Sequence, residues 1–80
     1  MLAAIIGGTG QMGRFFAGVF RAAGWDVIVS GTKTPLTGRD IAGEADLVMV
    51  SVPIRATVAV IREVAPLLSE EQIFCDLTSL

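Results

Sequence analysis

The sequence of 80 residues predicts an α/β fold: a four-stranded parallel sheet in the order 2-1-3-4, with flanking helices. Three observations predict it. Short apolar runs alternate with segments of helical apolar spacing, and that alternation implies parallel strands joined by crossovers. A glycine-rich turn at residues 7–13 joins the first apolar run to the first helical segment. Residues 47–52 are apolar on both alternations, as in a central strand covered on both faces. The fourth apolar run is the last element, so the sheet is expected to be a truncated one that stops mid-fold.

Residues 2–6 read as a buried strand, short, apolar and ended by glycine. Gly8, Gly10 and Gly13 then give the G-x-G-x-x-G pattern of a Rossmann-like, dinucleotide-binding βα turn. Each glycine has a physical role. Gly8 is expected to turn the chain out of the strand, Gly10 to let a diphosphate approach the backbone, and Gly13 to let the helix lie close on the sheet. Amides near Gln11 and Met12, with Thr9 beside them, would face the phosphates, and the helix dipole favours their charge. The competing reading of the turn is an ordinary tight βα connection.

From Gln11 to Ala23, apolar residues at Met12, Phe15, Phe16, Val19, Phe20 and Ala23 trace one helical face, expected to pack on the sheet. Arg14 and Arg21 fall on another face and are expected to be solvated. Gly24 stops this helix. Residues 26–30 form the second strand, followed by the polar loop Gly31, Thr32, Lys33, Thr34 and Pro35. A short helix follows, with Thr37 as N-cap, Asp40 as capping-box partner, and Leu36 and Ile41 as staple. Residues 47–52 form the third strand, opened by Asp46 and ended by Pro53. The segment 54–66 carries Ile54, Val58, Ile61, Ala65 and Leu68 at or just beyond helical spacing, with Arg55, Arg62 and Glu63 off that stripe. Ser69 and Gln72 mark one more capped turn, and residues 73–77 a fourth strand. The predicted order leaves a crevice between strands 1 and 3 at their carboxyl ends, where open α/β sheets bind ligands.

Composition narrows the function classes. Hydrophobic residues make up 52% of the chain and charged residues only 18%. Mean hydropathy is +0.69. No apolar stretch approaches the ~20 residues that span a bilayer, and no basic residue precedes the first apolar run, so no membrane or secretory segment is read. The surplus apolarity is read as surface meant for more protein, hence a homo-oligomer. Six basic against eight acidic residues, with no basic cluster, argue against nucleic acid as a partner. The single Cys75 excludes an internal disulfide and leaves no metal constellation, so no metal site is assigned. These features suit the cytoplasm.

At the end of the second strand, dinucleotide-binding domains that prefer NAD carry an acid that accepts hydrogen bonds from the ribose hydroxyls. Here the strand runs into Ser30, Gly31, Thr32 and Lys33, and no acid occurs between Asp26 and Asp40. Hydroxyls, a glycine that allows close backbone approach and a cation there suit a 2′-phosphate, so NADP is expected, with NAD the alternative.

Several blocks resemble the prephenate dehydrogenase family. They are residues 7–14 with Phe15 and Phe16; Ala45 and Asp46 through Ser51, Val52, Pro53 and Ile54, with Thr57; and Asp76, Leu77, Thr78 and Ser79. The S-V-P-I-x-x-T and D-L-T-S blocks are particular to that family and its arogenate-using relatives. The resemblance covers nearly the whole chain. It implies a Rossmann domain binding NAD or NADP, and oxidative decarboxylation of prephenate, with hydride passing to the nicotinamide. It places Ser51, Val52 and Pro53 along the cofactor near the nicotinamide, and gives Ser79 a supporting role in orienting a catalytic histidine. The chain contains no histidine. The family's histidine, and its substrate-binding arginine in a helical dimerisation domain, lie beyond the positions matched here. Residues 1–80 are therefore expected to be the cofactor domain of a longer enzyme, or a short reading frame, inactive alone. The small-molecule substrate would be met only in the full-length enzyme. The competing readings are the cofactor domain of another NADP-linked reductase, of the deazaflavin-dependent or β-hydroxyacid type, and a non-catalytic nucleotide-sensing module.

Overall fold

The computed structural model describes residues 1–7, 9–31 and 37–77. In chain order the elements are β1 (Leu2–Ile6), α1 (Gln11–Ala22), β2 (Asp26–Ser30), α2 (Gly38–Ala42), β3 (Leu47–Val50), α3 (Ile54–Val64), a 3-10 turn (Ala65–Leu67) and β4 (Ile73–Asp76). All pairings are parallel, and the strand order is β2-β1-β3-β4, as predicted. In register, Ala4 lies between Ile28 and Val48, and Ile6 between Ser30 and Val50.

Side-chain alternation splits the core into two layers. Ala4, Ile6, Val48 and Val50 face one side and pack with Ile41 and Ala42 of α2 and Val64 of α3. Ile5 and Met49 face the other side and pack with Ala17 of α1, supported by Phe16 and Phe20. The sheet is thus covered by α1 on one face and by α2 and α3 on the other. That explains why β1 and β3, at the centre, are buried on both alternations whereas β2 and β4, at the edges, are only partly buried.

The face that α1 turns to the sheet differs from the sequence expectation. Gly13 and Ala17 are its buried residues, while Phe15, Met12 and Val19 are 62%, 49% and 47% exposed. Two small residues one turn apart let the helix approach closely, and the larger Phe16 and Phe20 then pack beside the contact line. The exposed large residues form a second stripe. The helix ends as expected at Gly24, whose φ is +89°. The Gly24 amide donates to the Arg21 carbonyl (3.0 Å) and the Trp25 amide to Phe20 (2.9 Å), a Schellman arrangement. Its usual apolar contact is the Phe20–Trp25 ring pair, with centroids 5.2 Å apart.

Four boundaries fall earlier than predicted, two of them by one residue: α1 ends at Ala22 rather than Ala23 and β4 at Asp76 rather than Leu77. β3 ends at Val50 rather than Val52: the Ser51 amide still reaches the Ile6 carbonyl (2.7 Å), but β1 turns away there and Pro53 has no amide to donate. α3 ends at Val64 rather than Pro66, because a proline ring cannot continue the α-helix, and the chain tightens into the 3-10 turn. In α2, Thr37 supplies a carbonyl to the Ile41 amide (3.3 Å). The expected box and staple involve Leu36 and the Asp40 side chain, which lie outside the described residues.

The turn at Ser69 and Gln72 does more than cap itself. Ser69 donates its amide to Gln72 Oε1 (2.7 Å), and Gln72 Nε2 donates to the carbonyls of Ala42 (2.8 Å) and Ala45 (2.7 Å). Gln72 therefore satisfies the end of α2 from thirty residues away and fixes α2 against the sheet. Gln72→Ala leaves two part-buried carbonyls without their partner, so it is expected to cost about 1–3 kcal/mol, read as a lower urea midpoint. An unchanged midpoint would show that water replaces the amide freely.

Candidate functional site

β1 and β3 are neighbours, but the connections from their carboxyl ends go to opposite faces: β1 feeds α1, and β3 feeds α3. Their ends therefore part and leave a crevice between them. Gly7 makes the exit from β1. Its φ is +84°, its amide donates to the Ser30 carbonyl (2.8 Å), and a Cβ there would fall on the carbonyl oxygen of Ser51. Among the described residues, Gly7 is thus the one that turns the chain. Sequence reasoning assigned that role to Gly8, which lies outside the described residues. The signal was present, since the two glycines are adjacent.

The Gly10 amide closes the turn onto the Gly7 carbonyl (3.1 Å), and Gly10 is the N-cap of α1. A Cβ on Gly10 would meet only the Gly7 carbonyl oxygen, at the ordinary distance of 3.5 Å. The protein itself would tolerate a side chain there, and what that side chain would fill is the crevice. Among the described residues no side chain caps α1, and its first turn holds no acid. The leading amides of Gln11 and Met12 therefore remain available to an anion. Gly13 is buried within α1 and lines neither cavity described next.

Two cavities flank the glycine turn. One, of about 510 Å³, reaches toward β2 and α2 and is lined by Thr9, Gly10, Ser30 and Gly31, with Val60, Glu63 and Val64 of α3 on its wall. The other, of about 410 Å³, reaches toward β4 and is lined by Gln11, Met12 and Leu77. Gly10, Ser51, Val52 and Pro53 border both. Most of the expected cofactor residues are thereby brought to one place. Ser30, 2% exposed, lies in the floor rather than at the rim, and Gly31 is half-buried beside Thr9. Thr32, Lys33 and Ser79 fall outside the described residues. Gly7, Leu77 and the α3 wall were missed. Val60 and Val64 lie off the stripe expected for α3, whose Ile54 and Val58 are exposed while Thr57 and Val64 are the buried residues, and Glu63 had no signal.

The crevice offers a dinucleotide an uncapped helix end with a largely apolar cavity on either side. Cys75 lies on β4, next to the second cavity's Leu77. Its thiol donates weakly to the Val48 carbonyl (3.8 Å), and burial, then the neighbouring Asp76 charge, push its pKa above the usual value, so it is a packing thiol rather than a nucleophile. No described helix is long and apolar enough to cross a membrane.

A parallel sheet split at its switch point by a glycine turn and an uncapped helix defines a Rossmann-like nucleotide-binding domain. Comparison with known proteins makes the class particular. Residues 36–80 match the family described as prephenate dehydrogenase, nucleotide-binding domain, and the chain belongs to that family. It is 37% identical over 75 residues to the T-protein of Haemophilus influenzae, an alignment covering 94% of this chain and 20% of that one. It is 37% identical over 90 residues to a probable arogenate/prephenate dehydrogenase of Methanocaldococcus jannaschii, covering 95% and 20%. The T-protein of Enterobacter agglomerans is 36% identical over 75 residues, covering 94% and 20%. The chain thus spans about a fifth of the length of these relatives. The match favours the dehydrogenase reading over the other reductases and over a sensing module.

Proposed function

We propose that residues 1–80 are the dinucleotide-binding unit of a prephenate or arogenate dehydrogenase, with NADP as its cofactor. The observation that carries the reading is the crevice itself: two cavities meeting at Gly10, over the uncapped start of α1. The α1 amides and Gly10 would hold the diphosphate. The first cavity would take the adenosine half and the second, beside Ser51 to Pro53, the nicotinamide half. When bound, the cofactor supplies the hydride acceptor for oxidation of the substrate. Ser51, Val52, Pro53 and Leu77 would shape the floor and exclude water, and Ser79 would help position the reacting groups in the longer enzyme.

The NADP assignment rests on the end of β2. β2 ends at Ser30, and the sequence continues through Gly31, Thr32 and Lys33 with no acid before Asp40. One charge-assisted hydrogen bond to a 2′-phosphate contributes ~1.5–3 kcal/mol, a preference of roughly tenfold to a hundredfold. Calorimetric titration with both cofactors tests this. Tighter binding of NADP supports the assignment, and equal or tighter binding of NAD rejects it.

The exposed apolar residues support self-association. β4 is a sheet edge with Ile73 56% exposed, and Phe15 and Val58 are 62% and 59% exposed. Sedimentation at concentrations on the order of tens of micromolar is expected to show a dimer or larger species. A clean monomer would count against this use of the surface.

A further inference from the structure

Among the described residues that line the first cavity, Glu63 is the only one with a charged side chain. A carboxylate cannot serve a phosphate. It needs a donor. Glu63 follows Val60 by three positions and precedes Val64, so all three share the face of α3 that walls the cavity, and Glu63 itself is exposed at the rim. The rest of that wall is apolar, with Val52 and Ile6 completing it. A flat aromatic base with one donor group at its edge matches such a slot.

We propose that Glu63 accepts a hydrogen bond from the exocyclic amine of adenine and so selects adenine dinucleotides. This rests on the dinucleotide reading above. Because Gly10 is common to both cavities, a diphosphate held there sends the adenosine half toward β2 and α2. The ribose then meets the end of β2 at Ser30 and Gly31. α3 instead follows β3, two strands across the sheet from β2. With the ribose at the end of β2, the Glu63 carboxylate on the α3 wall of the cavity is left for the base. Replacing the amine by a carbonyl, as in hypoxanthine, puts an acceptor against an acceptor.

The test is calorimetric titration of the full chain with NADP and with its hypoxanthine analogue, deamino-NADP. The unaltered chain is expected to prefer NADP by about fivefold to tenfold, the low end for a charge-assisted bond because the site is open to water. Glu63→Ala should weaken NADP by that factor and leave deamino-NADP unchanged, bringing the ratio to about one. Glu63→Gln keeps an acceptor and adds a donor, so it should bind NADP nearly as well and gain affinity for deamino-NADP. Equal weakening of both ligands by Glu63→Ala would overturn the proposal. So would a gain in affinity of Glu63→Ala for NADP with none for NAD, which would place the carboxylate against the 2′-phosphate. If the unaltered chain binds no dinucleotide, the nucleotide reading itself falls, and this inference with it.

Discussion

Gly7→Ala is expected to destabilise the chain by about 2–5 kcal/mol and to abolish dinucleotide binding. Two costs combine. Gly7 has φ +84°, where an L side chain costs roughly 1–2 kcal/mol. The new Cβ would also overlap the Ser51 carbonyl oxygen and lie 3.0 Å from Val52 Cγ1. Both neighbours belong to the connection after β3, whose Ser51 amide is held by Ile6, so neither can yield without opening the β1–β3 junction. Forced repacking of this kind costs about 1–3 kcal/mol. Small domains have roughly 0.05–0.15 kcal/mol of stability per residue, so the loss is a large share of the whole. The control is Gly18→Ala, on the exposed side of α1 with nothing within 4 Å of the added Cβ. It should stabilise by about 1 kcal/mol through helix propensity alone. Urea titration of both variants separates the two cases, and a Gly7→Ala midpoint at or above the unaltered one would refute the geometry.

The second large effect is a reversal of cofactor preference. An aspartate at position 31 would accept hydrogen bonds from the ribose hydroxyls of NAD and repel the 2′-phosphate of NADP. Gly31→Asp alone meets an obstacle, because its Cβ would press on Thr9 Oγ1 and lie 3.0 Å from Thr9 Cγ2. Thr9→Ala removes both atoms. The double variant Thr9→Ala/Gly31→Asp is therefore expected to favour NAD by roughly tenfold or more, whereas Gly31→Asp alone should show the shift with an added loss of affinity for both. Lys33→Ala should weaken NADP by about tenfold and leave NAD nearly unchanged. Unchanged selectivity in all three variants would show that the end of β2 does not face the ribose.

These effects trace back to how much the sequence discloses locally. The apolar runs at Leu2–Ile6 and Leu47–Val50 specify buried central strands, and the order β2-β1-β3-β4 follows from them. The glycine turn was legible because residues 7–13 are near one another in sequence, and the crevice because the predicted strand order sets β1 beside β3. What was not legible depends on distant partners. Phe15 looked like core because a helical stripe says which residues share a face, not which face the sheet takes. Gly13 and Ala17 decided that by their small size. Gly7 and Gly8 are equivalent in the sequence until Ser51 is seen to approach Gly7. Glu63 was placed only off the apolar stripe, because nothing local reveals that α3 carries it to the rim of a cavity begun by Thr9 and Gly10, more than fifty residues earlier.

The central claim is that a dinucleotide binds across the carboxyl ends of β1 and β3, with its diphosphate at the start of α1. Backbone amide chemical shifts recorded while the chain is titrated with NADP test it most directly. Saturable binding is predicted, with the largest shifts at Gly7, Gly10, Gln11 and Met12, further shifts at Gly31, Ser51 and Val52, and little change at Trp25 or Ile73. Absence of saturation, or the largest shifts clustered on the exposed face of α1 around Phe15 and Val19, would contradict it.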